Sequence, residues 1–247
     1  MWTRSKLKTR AKAILRISYW KAFLVSLVIA FVGGSSGSSF NFNWNFGGGN
    51  SRSTPGNFTD SGEMWPYFIL GILIALIVFL LVLAFRIFLG YPLEVGGRRY
   101  FIQSAQNNFD LNSLGYAFEK PRYFDIIKAM LWRGFLNLLW YLLLFIPGIV
   151  MSYAYKMVPY ILADNPNIGY KRAVELSRKM TDGEKFAMLI LDLSFIGWYL
   201  LGVLALLVGT LFVMPYENAT KAELYLVLRQ NAIDNGICSQ EELMLNS

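Results

Sequence analysis

The stretch WPYFILGILIALIVFLLVLAF, residues 65–85, carries no charged side chain over its 21 residues. As an α-helix rising about 1.5 Å per residue, it matches the roughly 30 Å thickness of a bilayer's hydrocarbon core. Trp65 and Tyr67 stand at one end, where interfacial aromatic residues are common, and Arg86 follows the other end. The stretch therefore predicts a transmembrane helix.

The composition of the whole chain extends this prediction beyond one helix. Hydrophobic residues make up 55% of the 247 residues, and the mean hydropathy is +0.41. A soluble domain is nearer to about 45–50% apolar even when glycine is counted. The excess is concentrated in long uncharged blocks, which indicates membrane helices. We expect a single integral membrane domain over 1–247: an all-α, polytopic helical membrane protein with about six membrane segments, some short or broken, plus interfacial amphipathic helices.

The residue types that most often perform catalysis or bind metals are scarce. The chain has no histidine, which is the commonest general base and zinc ligand. Its one cysteine, Cys238, makes neither an internal disulfide nor a cysteine metal cluster. The sequence contains no P-loop, dinucleotide fingerprint, nucleophile elbow or metalloprotease motif. We predict no catalytic residue, no cofactor and no metal site.

The amino-terminal segment combines a basic amphipathic helix with an apolar run. One helical face carries Leu7, Ala11, Ile14, Leu15 and Ser18, while Lys6, Lys8, Arg10, Lys12 and Arg16 lie largely elsewhere. This pattern favours a retained interfacial helix over 1–18 that binds anionic lipid headgroups and leads into a span over Tyr19–Val32. The alternative is a cleaved signal peptide, which also begins with basic residues before a short apolar run.

Residues 33–64 are rich in Gly, Ser and Asn and carry only three charged side chains. Between Phe40 and Phe46, aromatic residues alternate strictly with Asn, a period typical of an extended strand or of a low-complexity patch. We predict a flexible extracytoplasmic loop for the whole segment.

The middle of the chain leaves two arrangements open. Residues 90–122 are mixed and polar, and Pro92 with Gly96 and Gly97 is expected to interrupt any spanning helix. The following apolar region contains Pro147-Gly148. It is either one span with a proline kink or a hairpin in which 126–146 and 149–163 are joined by a turn at Pro147-Gly148. The turn-forming character of this pair favours the hairpin.

The last third of the chain alternates amphipathic and apolar segments. Over 170–180 the apolar and charged residues separate onto two helix faces, which predicts a helix on the membrane surface. The apolar block 186–214 is too long for one untilted span, and we place a break at Gly197-Trp198. Pro215 is expected to end this block. Residues 216–247 then form a cytoplasmic amphipathic helix and tail.

The basic residues outside the predicted spans indicate the orientation of the chain. They cluster in 1–21, 86–133 and 156–185, while 33–64 contains one. With six membrane segments the three clusters share one side, which the positive-inside rule makes cytoplasmic. We therefore expect the protein in the cell membrane, with both termini on the cytoplasmic side. The net charge of +7 is spread over juxtamembrane segments, which favours membrane insertion over nucleic-acid binding.

Asp192 is the most informative polar residue because it lies among leucines and other apolar residues inside a predicted span. An unpaired charge there costs about 2.5–3.5 kcal/mol on insertion scales, so Asp192 should face a partner, a water cavity or the interface. Arg133 and Lys156 are the candidate ion-pair partners, and Asn137 is a candidate hydrogen-bond partner. The cluster is either a structural ion pair or part of an ion or proton pathway.

Several short motifs resemble one bacterial family of multi-pass membrane proteins, called domain of unknown function 975. The matching residues are Phe145-Ile146-Pro147-Gly148-Ile149, Tyr160-Ile161-Leu162-Ala163-Asp164-Asn165-Pro166, Ala173, Ser177-Arg178-Lys179-Met180, Gly183, Leu193-Ser194-Phe195-Ile196-Gly197-Trp198 and Pro215-Tyr216. Their order and spacing match over roughly 85–230. A looser likeness, through the Pro-Gly turn, is to the membrane domain of glycerophosphodiester phosphodiesterases, whose catalytic domain has no counterpart here. The resemblance implies a helical membrane fold and no known activity.

Two classes of function are compatible with these patterns. The first is a non-enzymatic membrane protein that organises or assists other membrane components, with lipid and an unidentified membrane protein as partners. The second is a transporter or channel, or a subunit of one, that uses Asp192, because broken helices often form binding sites in transporters.

Overall fold

The computed structural model of the protein describes residues 2–32, 64–204 and 208–245, and every regular element in these ranges is helical. The helices are α1 (Arg4–Phe31), α2 (Met64–Phe85), α3 (Tyr91–Ala105), α4 (Lys120–Leu143), α5 (Phe145–Ala154), α6 (Val158–Asp164), α7 (Tyr170–Met180), α8 (Lys185–Leu204) and α9 (Val208–Asp234). A π-helical turn at Arg86–Gly90 joins α2 to α3. The predicted loop, with its Phe40–Phe46 alternation, lies outside the described residues.

Five helical stretches are long and apolar enough to cross a membrane. They are Arg4–Phe31, Tyr67–Ala105, Lys120–Leu143, Phe145–Asp164 and Lys185–Leu204. The all-α prediction is confirmed for the described part of the chain. The predicted number of about six membrane segments is not confirmed, because α9 is not among these stretches.

Helix α1 buries the apolar face that the sequence predicts. Leu7, Ala11, Ile14, Leu15 and Ser18 are all buried. The helix packs along α9 and α3, so this face contacts protein, and the basic residues remain on the other face.

Helices α2 and α3 follow one another through the π-helical turn, so the predicted interruption in this region is wrong. Pro92 directly follows the π-helical turn, and its missing N–H leaves the carbonyl of Phe88 free to accept a hydrogen bond from the Tyr123 hydroxyl at 2.8 Å. The two glycines allow close packing: a Cβ on Gly96 would lie 2.4 Å from a carbonyl oxygen of Leu114, and one on Gly97 would lie 2.5 Å from Ile29. Here glycine serves tertiary contact rather than helix termination.

Helices α4 and α5 form a hairpin, but the chain reverses before the predicted turn. Leu144 is the single extended residue between them, with φ −159° and ψ 141°. Helix α4 packs against both α5 and α6, which shows that the chain runs back along it. Pro147-Gly148 lies inside the first turn of α5, where proline is tolerated, and Gly148 lets the ring of Tyr141 approach the backbone.

The break after the apolar block also differs from its predicted position. Gly197 and Trp198 lie inside α8, and α8 ends at Leu204 before α9 begins at Val208. Pro215 lies inside α9, so it does not end the helix. Residues 217–229, within the predicted helix and tail of 216–247, therefore continue α9 and are mostly buried against the rest of the fold.

The fold has an apolar exposed part and a buried body. Exposed large hydrophobic side chains concentrate on α2, on α4 and α5 near Leu144, and on the second part of α8. The buried core is formed mainly by α1, α3, α6, α7 and the second part of α9. Helix α7 has the predicted bounds and packs its apolar face on this body; its position on a membrane surface stays a prediction.

Candidate functional site

Asp192 of α8 lies in a buried ionic cluster at the junction of α5, α6, α8 and α9. The Lys156 ammonium donates a hydrogen bond to Asp192 Oδ2, and the Tyr153 hydroxyl donates a second to the same oxygen at 2.9 Å. Lys221 of α9 places its Nζ 3.9 Å from Asp192 Oδ1. The carboxylate is thus compensated by two ammonium groups, as burial requires.

Lys221 connects Asp192 to a second buried carboxylate, Glu217. These two residues are one helical turn apart on α9, and the Lys221 ammonium donates a hydrogen bond to Glu217 Oε1. The Tyr199 hydroxyl of α8 donates to the other carboxylate oxygen. With Asp192 and Lys156, the group contains two carboxylates and two ammonium groups, so its formal charge is balanced. We call the six residues Tyr153, Lys156, Asp192, Tyr199, Glu217 and Lys221 the ionic cluster.

The turn between α5 and α6 that carries Lys156 is held by α7. The Ser177 hydroxyl donates to the carbonyl of Ala154 at 2.7 Å and accepts a hydrogen bond from the N–H of Met157 at 3.2 Å. Pro159 lies in the first turn of α6, where its fixed φ favours the helical direction of the chain beyond the turn. Lys156 therefore faces Asp192 from a position set by backbone hydrogen bonds.

The other two residues predicted near Asp192 lie elsewhere. Arg133 places its Nη1 3.8 Å from Glu94 of α3, a buried carboxylate that also has Arg86 at 3.5 Å. Asn137 makes no hydrogen bond to Asp192, and its Oδ1 is buried without a hydrogen-bond partner among the described residues. Of the two candidate partners, Lys156 thus lies beside Asp192, whereas Arg133 lies beside Glu94, in a segment whose proline and glycines indicate irregular structure.

The family model for a protein of unknown function, DUF975, matches residues 51–232. The chain belongs to this family. No curated protein and no solved structure matches it. The family assignment agrees with the resemblance found in the sequence motifs and brings no activity with it.

A further set of ion pairs in this DUF975 protein joins the carboxyl-terminal segment to the body. Asp164 accepts hydrogen bonds from Arg229 at 2.9 Å and Tyr225 at 2.6 Å, and Arg172 bonds Glu242 at 2.6 Å. Outside the apolar helices, the hydrogen bond from Arg172 holds the pKa of Glu242 below its usual value, and the same bond raises the pKa of Arg172. The Arg172–Glu242 pair fixes the tail against α7, and the bonds to Asp164 join α9 to α6.

The sequence did not identify Lys221, Glu217 and the two tyrosines as members of the ionic cluster. Glu217 and Lys221 have the four-residue spacing of a helical ion pair, but this spacing usually marks an exposed helix face. Only the antiparallel packing of α8 on α9 brings the pair to Asp192. The spacing of Glu217 and Lys221 is therefore visible in the sequence of this DUF975 protein, but only the packing of α8 on α9 shows that the pair is buried beside Asp192.

The chemistry available to the ionic cluster is limited by its charge balance. Among the described residues there is no group of three histidine, cysteine or acidic side chains arranged to hold a metal ion. Each carboxylate in the cluster has a cation and a tyrosine hydroxyl as direct partners. The arrangement joins α5, α8 and α9 through ammonium groups and tyrosine hydroxyls, and the 3.9 Å contact between Lys221 and Asp192 is an ion pair longer than a hydrogen bond.

Proposed function

We propose that this protein is a non-enzymatic multi-pass membrane protein that organises or assists other membrane components through contacts between membrane helices. The observation that carries the proposal is the exposure of α2: every residue from Tyr67 to Leu83 is exposed within the chain. A helix of this length with no charge needs a hydrocarbon environment. It offers all its faces to lipid or to helices of another protein.

The sequence of α2 contains a feature that favours helix partners. Gly71 and Ala75 are four residues apart and lie on one face, and a Cβ on Gly71 would meet nothing within 4 Å. In lipid, helices associate through close packing at small residues rather than through the hydrophobic effect. The small face therefore supports contact with a helix of a membrane-protein partner.

The charge distribution supports the location that accompanies this function. We place the protein in the cell membrane with both termini cytoplasmic and 33–64 on the outside. The support is the set of basic residues in 1–21, 86–133 and 156–185, which share one side when 33–64 lies on the other. The buried charges fit a structural role, because the ionic cluster is neutral within the chain.

Cross-linking and co-purification from gently solubilised membranes tests the proposal. The double variant Gly71→Ile/Ala75→Ile keeps the helix apolar but fills its small face, so it should release proteins that co-purify with the parent. Leu73→Ile is the matched control, because residue 73 lies on the opposite face of α2. An identical set of co-purified membrane proteins for parent and double variant would contradict the proposal.

A transporter or channel, alone or as a subunit, is the second candidate. The row of proton-bearing groups from Lys156 through Asp192 and Lys221 to Glu217 favours it. In reconstituted vesicles, Asp192→Asn should then abolish an ion-dependent flux while the protein keeps its detergent elution profile. Absence of flux in the parent, with a folded protein, would eliminate this candidate and leave the first.

A further inference from the structure

A cavity of about 420 Å³ lies beside the middle of α1 and is lined by Arg16, Ile17, Ser18, Tyr19, Trp20, Lys21 and Phe109. We propose that this cavity binds the phosphate-bearing headgroup of one anionic phospholipid. The inference goes beyond the proposed helix contacts, and it rests on that proposal only in needing a membrane location. It also replaces a general attraction of the basic segment for lipid with a defined site.

The backbone of α1 is distorted at the cavity. Ser18 has φ −134° and ψ 36°, outside the helical range, and separates the helix into two parts. Its side chain is buried, with 7% of its surface exposed, and its Oγ has no hydrogen-bond partner among the described residues. Buried polar groups are usually satisfied, so the unsatisfied hydroxyl marks the distortion of α1 at the cavity as an unusual feature of this helix.

The charge around the cavity is entirely positive on α1. This helix contains seven basic residues and no acidic residue, and Arg16 and Lys21 lie in the cavity wall. Neither forms an ion pair within the described part of the chain. Lys21 donates one hydrogen bond, to the carbonyl of Phe109 at 3.1 Å, and an ammonium has three donors. Both residues therefore keep hydrogen-bonding capacity for an anion.

The position of the cavity along α1 matches the depth of a lipid headgroup. On the first part of the helix the exposed side chains include Arg10, Lys12 and Arg16, whereas from Ile17 onward the exposed side chains are mainly apolar and include Trp20, which is 72% exposed. Tryptophan prefers the boundary between headgroups and acyl chains. A lipid whose phosphate lies between Arg16 and Lys21 can therefore extend its acyl chains along the apolar face.

Native mass spectrometry of the full-length protein in detergent tests this site. The delipidated protein is titrated with phosphatidylglycerol and, in parallel, with zwitterionic phosphatidylcholine. The parent should retain one phosphatidylglycerol preferentially. Arg16→Gln/Lys21→Gln should weaken this binding about thirty-fold, since two basic residues near an anionic headgroup contribute about 2 kcal/mol.

The matched control is Arg4→Gln/Lys6→Gln, which removes the same charge from the same helix. These residues lie about 15 Å or more along the axis from Arg16, beyond the roughly 8 Å screening length at physiological salt. The control should bind phosphatidylglycerol like the parent. The conservative variant Arg16→Lys/Lys21→Arg keeps both charges and should also retain most binding, which separates the site from any folding defect.

Equal losses in the two glutamine variants would overturn the site and show general electrostatic attraction. Inorganic phosphate is the third probe. If it bound at millimolar concentration while phosphatidylglycerol did not, the site would belong to a soluble anion and the lipid assignment would be wrong. Co-purification through α2 should be unaffected by Arg16→Gln/Lys21→Gln, so failure of this inference and failure of the proposed function are distinguishable.

Discussion

Asp192→Leu is expected to destabilise the protein strongly, because it removes one of the two carboxylates from the ionic cluster. Glu217 would then pair with Lys221 alone, and Lys156 would lose its one ion pair among the described residues. Breaking a buried ion pair by removing one partner typically costs about 3–5 kcal/mol, because the remaining charge stays buried and uncompensated. For a protein of this size, that corresponds to a fall of roughly 6–20 °C in melting temperature.

The double variant Asp192→Leu/Lys156→Met should recover most of this loss. It removes one charge of each sign and leaves the Lys221–Glu217 pair intact, and apolar replacement of a whole buried pair is often neutral or stabilising. The melting temperature of each variant is measured in detergent, as the temperature at which the monodisperse elution peak is lost. The two single variants and the double variant form a mutant cycle that isolates the coupling between the residues.

Asp182→Asn is the matched control for this cycle. Its carboxylate also pairs with a lysine, Lys185 at 3.0 Å, but its side chain is 79% exposed, so water compensates the loss. The control should melt like the parent. Melting of Asp192→Leu within the error of the parent would refute the reasoning, and so would a double variant that loses as much stability as the two single variants together.

Three other predictions concern the packing, the tail and the orientation. Gly96→Ala should lower the melting temperature in detergent, because its Cβ would lie 2.4 Å from a carbonyl oxygen, whereas Gly197→Ala, with nothing within 4 Å, should not. The carboxyl-terminal segment should detach on acidification. Because its bond to Arg172 holds the pKa of Glu242 below the usual 4.5, the pair stabilises the segment above that value and is lost as the pH falls through the lower folded value, which hydrogen exchange would detect. With the native cysteine removed, Glu175→Cys should resist an impermeant thiol reagent in intact cells, and labelling there would contradict a cytoplasmic α7.

The helical class of the fold and the bounds of α7 followed from the sequence, whereas the ends of α4 and α8 did not. Apolar length and uncharged composition are local properties, and they predicted helices in the correct regions. Pro147 and Gly197 are also local signals, but both occur inside helices. A proline in the first turn costs no hydrogen bond, and a glycine in a long apolar helix is outweighed by its neighbours. By contrast, α4 ends just before Leu144, and leucine is not a residue type that favours turns.

The candidate site was predictable only in part, for the same reason. Asp192 was conspicuous because a charge among leucines needs a partner, and Lys156 is at the depth that a hairpin brings to it. The choice between Lys156 and Arg133 depended on Glu94. The sequence did not indicate Glu94 as a partner of Arg133, because the nearby proline and glycines predict an irregular segment. Their helical conformation depends on contacts with other helices, which a single sequence does not display.

The joint at Leu144 has a consequence for how the α4–α5 hairpin enters a membrane during biosynthesis. The Leu144 N–H donates to the carbonyl of Trp140, and its own carbonyl accepts from the N–H of Gly148, so the extended residue leaves no backbone group unsatisfied. From Leu142 to Ile146 the joint carries only exposed apolar side chains. Translocation of this joint therefore moves no charged side chain through hydrocarbon, and the peptide groups left unpaired at the two helix ends are the main desolvation penalty that remains. The two helices can insert together, from one side, without a hydrophilic connection having to reach the other.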